Sequence, residues 1–164
     1  MLSDRHIKEA ILAERIKIAP TIDYETQLGS CSVDLRLGNT FRVFEHSKVP
    51  YVDLRNNITA SEYTRTITIE PNNPLIIQSK GFVLAITEEW VELADDIAGR
   101  LEGKSSLARL GVIVHSTAGL IDPGWKGRIV MELGNVGVMP IALYPGMRIC
   151  ALTFEKMSSP VETP

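Results

Sequence analysis

The sequence predicts an all-β protein with minor helix, folded as a single domain. Short apolar segments rich in β-branched residues recur along the chain, with glycine and proline turns between them. The 164 residues are enough for one domain with a real core, and no internal repeat, linker or low-complexity stretch divides them. Many short strands with regular turns are typical of a β-sandwich or barrel.

The first element is an N-terminal helix. Ser3 is a good helix N-cap, and Asp4 is favourable in the first turn. Apolar residues follow at helical spacing, so residues 4–15 are predicted to form one amphipathic helix. The positions that set this spacing are Ile7, Ala10, Ile11 and Glu14.

Beyond Pro20 the period changes to that of strands. Residues 33–37 alternate between apolar and charged side chains, and Gly38-Asn39 then interrupts the run before residues 41–43. We interpret this as strand, turn, strand. Further strands are predicted at 66–70, 75–78, 82–87, 112–116, 128–133, 141–144 and 148–154.

A second short helix is predicted at residues 105–110. The serines at its start can cap it, Leu107 and Leu110 can face inward, and Gly111 can end it. Backbone N–H groups at such a start favour a phosphate. A capped surface helix without a ligand is the structural alternative.

Composition excludes several classes of function. The formal net charge is −3, and no basic tail or face supplies the field that a nucleic-acid binder needs. Cys31 and Cys150 lie far apart without a CxxC pair, which argues against a disulfide scaffold and a cysteine-based zinc site. We expect both to be small buried residues in a reducing cytosol. With no signal peptide and no apolar run of about 20 residues, the protein is expected to be cytoplasmic and not membrane-bound.

Polar residues are unusually dense in the otherwise apolar stretch 101–136. Glu132 stands out because it lies in the strand 129–133, where it shares a face with Val130. A buried carboxylate must be paired or neutral, and its raised pKa suits a general base or acid. Pairing with an arginine, or a solvated strand edge, would explain Glu132 equally well. The other polar members are Glu102, Lys104, Ser105, Ser106, Arg109, His115, Ser116, Thr117 and Asp122.

Five segments, in order along the chain, resemble the dCTP deaminase family. Residues 103–111 (GKSSLARLG) are similar to its phosphate and active-site segment, and 115–125 (HSTAGLIDPGW) to its second signature. Residues 129–133 (IVMEL) resemble its catalytic strand. Residues 32–38 and 145–152 match its flanking strands.

The resemblance implies a distorted β-barrel shared with dUTPases, assembled as a homotrimer with active sites between subunits. In the family a polar C-terminal tail closes over the bound nucleotide. This sequence stops at 162–164, where that tail would begin, so either the tail continues beyond this sequence or the lid is absent.

The resemblance also implies roles for individual residues. Glu132 would activate the water that attacks C4 of cytosine, while Ser105 and Arg109 would hold that water and stabilise the adduct. The Ala118 carbonyl would orient the exocyclic amine. The whole implied nucleotide-binding set is Lys104, Ser105, Ser106, Leu107, Ala108, Arg109, Ala118, Asp122, Val130, Met131 and Glu132.

Within that set, Lys104 and Ser106 would contact phosphates and Asp122 the deoxyribose hydroxyl, with Mg²⁺ carried by the triphosphate.

The zinc deaminases activate water with a metal ion, which they bind through H-x-E and P-C-x-x-C motifs. None of the three histidines here is followed two residues later by glutamate, so zinc catalysis is not expected.

Three alternatives remain open. A dUTPase would use the carboxylate of Asp122 at phosphorus and would not need Glu132. A bifunctional enzyme would convert dCTP to dUMP. Gly119 favours this alternative and Ala151 disfavours it, while Leu120 fits neither pattern well. On balance, the predicted product is dUTP. A nucleotide-sensing module would be expected to have lost catalytic residues that are present here. Binding of dUTP, and inhibition by dTTP, are further expectations from the family.

Overall fold

The computed structural model describes residues 1–45, 51–53, 55 and 60–163. His46 and Pro164 therefore lie outside the described residues. The helices are α1 (Asp4–Leu12), α2 (Ala60–Tyr63) and α3 (Ser105–Ala108). The strands are β1 (Ile16–Ala19), β2 (Ser32–Phe44), β3 (Thr64–Thr68), β4 (Leu75–Ile77), β5 (Phe82–Leu93), β6 (Ile97–Gly103), β7 (Val112–Ile113), β8 (Leu120–Ile121), β9 (Lys126–Asn135), β10 (Ile141–Leu143) and β11 (Arg148–Lys156).

One antiparallel sheet dominates the described part of the chain. Its main path runs β7-β9-β5-β2-β11-β6-β8, with β1 added beside β5 and β3 beside β2, while β10 and β4 form a separate pair. The sheet curls around an apolar core, which includes Leu35, Phe41, Met131, Leu152 and Phe154, each at most 1% exposed. The predicted all-β class with minor helix and a single domain is confirmed.

The predicted turn at Gly38-Asn39 is wrong, because β2 continues through it. The register between β2 and β5 shifts between Leu37 and Phe41, so the irregularity is a bulge within one strand. A Cβ on Gly38 would lie only 2.8 Å from the Ile86 carbonyl oxygen. Glycine is therefore present because two backbones approach closely, and not because the chain reverses there.

Helix α1 also differs from its prediction, since it ends at Leu12 and not at residue 15. Glu14 has a φ of 55°, and the chain turns there into β1, where Ile16 is fully buried. Pairing of β1 with β5 outweighs one more turn of helix. Ser3 does occupy the N-cap, but its hydroxyl pairs with His6 Nδ1 at 3.2 Å and caps no backbone N–H.

Three strands were not anticipated, namely β1, β6 and β8, and β5 runs to residue 93 and not to 87. Strand β6 has the sequence IAGRLEG, in which two glycines and two charged residues obscure the alternation. Its burial comes from lying between β11 and β8, a pairing that local sequence does not reveal.

The two cysteines are free, as expected, but only one is fully buried. Burial raises the pKa of the Cys150 thiol to about 12, and the Glu89 and Asp34 carboxylates add to this effect. Cys31 is only half-buried, which corrects its prediction. None of the helices in the described residues has both the length and the apolar character to cross a membrane.

Candidate active site

Strand β9 carries Glu132 on its outer side. Ile129, Met131 and Leu133 point into the core, whereas Val130 and Glu132 share the opposite face, as the alternation predicted. That face is not buried within the chain, because Val130 is 53% exposed and Glu132 is half-buried. Of the alternatives that the pattern left open for Glu132, a partly solvated face is the one observed, and the outer face of a one-sided sheet explains why a charge is tolerated there.

The Glu132 carboxylate is oriented by a backbone group. Strand β7 pairs with the end of β9, and the chain then continues alongside β9, so that the Glu132 N–H donates to the Val114 carbonyl at 3.0 Å. Two residues further on, the Ser116 N–H donates to Glu132 Oε2 at 2.8 Å. A backbone donor on a carboxylate is a charge-assisted bond that holds the side chain in one direction.

Helix α3 is a single turn that ends at Ala108 and not at the predicted residue 110, and its N-cap lies one residue before the serines predicted to cap it. Lys104 occupies the N-cap position in an extended conformation, and the serines lie inside the helix, so they do not cap it. Leu107 packs against the core, but Leu110 is 63% exposed and does not face inward as predicted. The C-cap of α3 is Arg109, so Gly111 does not end the helix as predicted; its φ of 96° belongs to the turn that follows.

Arg109 faces a cleft on the far side of α3. The cleft has a volume of about 780 Å³ and lies between residues 108–111 and 136–142. Glu132 and Ser105 are not among its lining residues. Within the described part of the chain, neither the Arg109 guanidinium nor the Ser105 hydroxyl has a side-chain hydrogen bond or an ion pair. Among the described residues, no hydrogen bond or ion pair joins the three predicted catalytic side chains to one another.

Lys104, the predicted phosphate ligand, is held by another strand. Its Nζ binds Oδ2 of Asp34 on β2, and Arg148 Nη1 lies 3.5 Å from the same oxygen. Asp34 and Arg148 were not among the predicted site residues. Their places in the matched segments 32–38 and 145–152 were the only sequence signal. Ser106 is exposed beside this group on α3.

The segment after β7 presents the remaining predicted residues. Ala118 and Asp122 are exposed, while Ile121 between them is buried. Gly119 is buried against His115, and a Cβ at this position would lie 3.0 Å from the His115 ring. Met131 is fully buried, so it can meet a ligand only through its backbone.

Among the residues that the structure describes, the fully buried carboxylate is that of Glu89, which the sequence analysis did not predict. It is 0% exposed, and it accepts bonds from the Arg36 N–H at 2.7 Å, from Arg36 Nε at 2.7 Å and from Gln27 Nε2 at 3.0 Å. Glu89 also raises the pKa of the Arg36 guanidinium through this hydrogen bond. Extending the alternation of β5 past residue 87 would have placed Glu89 on the core face.

Among the described residues, no group of three histidine, cysteine, aspartate or glutamate side chains is arranged to hold a metal ion.

Curated relatives match the whole chain. A dCTP deaminase from Thermomicrobium roseum is 57% identical over all 164 residues, which correspond to 83% of its length. A dUMP-forming dCTP deaminase from Methanobrevibacter smithii is 46% identical over the same residues, 84% of its length. The name of the second relative specifies dUMP as its product, whereas that of the first specifies no product.

Solved structures show the same fold at low identity. The 2'-deoxycytidine 5'-triphosphate deaminase from Agrobacterium tumefaciens matches 93% of this chain with a TM-score of 0.71 and 19% identity, and this chain spans 45% of that one. A dUTPase mutant from phage phi11 matches 91% of this chain and 95% of its own, with a TM-score of 0.56 and 10% identity. The dUTPase-like architecture is therefore confirmed. Finally, a family model described as dCTP deaminase-like matches residues 1–157, and the chain belongs to that family.

Proposed function

We propose that this protein is a dCTP deaminase that converts dCTP and water to dUTP and ammonia. The observation that carries the proposal is Glu132, a carboxylate on the outer face of β9 that the Ser116 N–H holds in a fixed direction at 2.8 Å. Family membership and the 57% identical dCTP deaminase support the choice of substrate. The product would feed dUMP and thymidylate synthesis.

Glu132 carries protons in the proposed mechanism. Its carboxylate takes a proton from water, and the resulting hydroxide adds to C4 of cytosine. The same carboxyl then gives that proton to the exocyclic amino group, which leaves as ammonia, so one residue acts first as base and then as acid. The Ala118 carbonyl orients the amino group before it leaves.

Ser105 and Arg109 stabilise the adduct. A hydroxyl and a guanidinium placed where charge develops each lower the barrier by about 3–4 kcal/mol when they are preorganised. Both side chains are exposed in the single chain, and the described residues offer them no side-chain partner. They are therefore available to a site completed by another molecule.

The site lies between subunits of a homotrimer in this proposal. Around Glu132, the outer face of the sheet exposes apolar side chains from Leu84, Ile86 and Val130, which line a groove of about 340 Å³. Beside Arg109 a second apolar surface is formed by Leu110, Val136, Val138 and Met139, which are 63–87% exposed. Large exposed apolar surfaces mark interaction sites.

Docking these two different surfaces would bring Arg109 of one subunit to Glu132 of the next. Such a head-to-tail contact closes into a ring when the rotation permits. The family resemblance supports three copies.

The nucleotide would be held by the remaining residues of the predicted set. Lys104 and Ser106 contact the phosphates, and Asp122 the deoxyribose hydroxyl. Leu107, Ala108, Val130 and the Met131 backbone form the walls of the site. The triphosphate brings Mg²⁺ with it, and no zinc takes part, because a carboxyl activates the water.

A cytoplasmic protein without affinity for nucleic acid fits the net charge of −3. Product dUTP also binds, and dTTP is a candidate inhibitor.

A second candidate, favoured by the names of several relatives, is a bifunctional enzyme that forms dUMP and diphosphate. Asp122, exposed just after buried Ile121, could serve a second water at phosphorus, as it would in a pure dUTPase. Incubation with dCTP and Mg²⁺, followed by chromatography and an ammonia assay, tests both proposals. We expect equimolar ammonia and dUTP at early times. Failure to consume dCTP would refute the proposed function, and dUMP without a dUTP phase would favour the bifunctional enzyme.

A further inference from the structure

Two cationic side chains, Lys104 and Arg148, approach the same carboxylate oxygen of Asp34. Oδ2 of Asp34, on β2, accepts a hydrogen bond from Lys104, which directly follows β6. The same oxygen lies 3.5 Å from Nη1 of Arg148, at the start of β11. The Asp34 side chain is 15% exposed and that of Lys104 24%, so most of this contact is shielded from water. Arg148 is 47% exposed and forms the outer edge of the cluster.

Asp34, Lys104 and Arg148 together carry one positive charge. Asp23 lies nearby: a hydrogen bond from the Thr26 hydroxyl lowers the pKa of its carboxyl, and the Arg148 guanidinium adds to this effect. Two cations share one carboxylate, and their donors outnumber its lone pairs, since an ammonium has three N–H groups and a guanidinium five. Arg148 uses part of its capacity on the Thr26 carbonyl. Ala151, the residue paired with Asp34 across β11, adds no polar atom. The remaining donors can serve an external anion.

A buried hydrogen-bond network holds the backbone next to the Asp34 carboxylate. Gln27 Nε2 donates both to the Asp34 carbonyl at 2.9 Å and to buried Glu89 at 3.0 Å. Glu89 also binds the Arg36 N–H two residues along β2. The backbone that follows Asp34 is therefore tied to a fully buried anion, which limits how far Asp34 and its two cations can move.

We propose that Arg148 is a second phosphate-binding residue, held beside Lys104 by Asp34, and that the two cations together bind the triphosphate end of the substrate. The inference rests on the proposed function, because it concerns the phosphate end of that same site. Arg148 can bind two phosphate oxygens through its planar fork, whereas Lys104 provides a point charge. Asp34 is a positioning residue, since it reduces the repulsion between the two cations and touches no phosphate itself.

The test separates phosphate recognition from structural support. Arg148→Gln should raise KM for dCTP about tenfold, the loss of one charge-assisted contact, and leave kcat within about threefold. Inhibition by deoxycytidine, which carries no phosphate, should be unchanged. Arg148→Lys should recover most of the lost KM. Asp34→Asn, which frees Lys104 to move, should raise KM for dCTP in the same direction.

Arg15→Gln is the matched control, because Arg15 is 40% exposed and paired with one aspartate, Asp96, outside this cluster. It should leave KM for dCTP unchanged. A KM for dCTP that stays within twofold in Arg148→Gln would overturn the inference. So would an equal weakening of dCTP and deoxycytidine, or a lower KM in Asp34→Asn. A wild-type protein that releases no ammonia from dCTP would instead refute the proposed function, and the inference with it.

Discussion

The Ser116 N–H lies 2.8 Å from Glu132 Oε2, so a backbone group of the segment after β7 orients the carboxylate on β9. This arrangement leaves the second carboxylate oxygen available for a water molecule. The direction of the Glu132 side chain depends on the β7–β9 pairing, and not on a neighbouring charge.

The first prediction concerns Glu132 itself. Glu132→Gln keeps the size of the side chain and can still accept the Ser116 bond, but it removes the base. Ammonia release from dCTP should therefore fall by at least a thousandfold, while dCTP binding measured by calorimetry stays nearly unchanged. Glu9→Gln on exposed α1 is the control and should retain full activity. Deamination by Glu132→Gln within tenfold of wild type would rule out the assignment.

A second prediction concerns metals. If a carboxyl activates the water, as proposed, purified protein should contain less than about 0.1 zinc per chain by elemental analysis. A zinc-selective chelator should spare activity in excess Mg²⁺, whereas EDTA should reduce it by removing Mg²⁺ from the nucleotide. One zinc ion per chain, lost together with activity, would refute this mechanism.

Subunit mixing provides a third prediction. If Arg109 of one chain serves Glu132 of another, exchanging subunits between Glu132→Ala and Arg109→Ala proteins should restore part of the activity, because some mixed sites contain both native residues. Mixing Glu132→Ala with Ser116→Pro, whose lesions affect the same chain's carboxylate, should restore none. A molar mass equal to that of one chain, measured by light scattering, would contradict the proposed trimer.

The product forms the fourth prediction. Ala151 lies between Asp34 on β2 and Glu102 on β6 in the register of the sheet, close to the carboxylate that binds Lys104. Its methyl group cannot hold a water molecule near the phosphates, so dUTP should accumulate. Ala151→Gln should increase the share of dUMP, measured by chromatography of early time points. A wild-type reaction that yields dUMP from the start would show that Ala151 does not prevent the second step.

The fifth prediction compares two adjacent glutamates that both pair with Arg36. Glu89→Ala removes a fully buried carboxylate and leaves its donors unpaired, so the free energy of unfolding should fall by about 3–5 kcal/mol. Glu88 is 37% exposed, with its carboxylate 3.3 Å from Arg36 Nη2, and Glu88→Ala should cost less than about 1 kcal/mol. Urea denaturation of both variants measures the difference. Equal losses would mean that Glu89 is not a structural anchor.

The sequence by itself determined the class of fold and the local direction of side chains. Alternation along β9 placed Glu132 with Val130, opposite Met131, because this feature depends only on the period of the strand backbone. The family resemblance carried the functional assignment further than the residue pattern alone could.

Tertiary structure decided which side of each strand is buried, and which strands become neighbours. Alternation could not show that the Glu132 face lies outside and the Glu89 face inside, because burial depends on what packs against a sheet. Sequence spacing also could not show that Asp34, Lys104 and Arg148 meet. They are 70 and 44 residues apart along the chain, and they meet only because β11 lies between β2 and β6. Long-range pairing of this kind leaves no local periodic signal, and here it defines the surroundings of the candidate site.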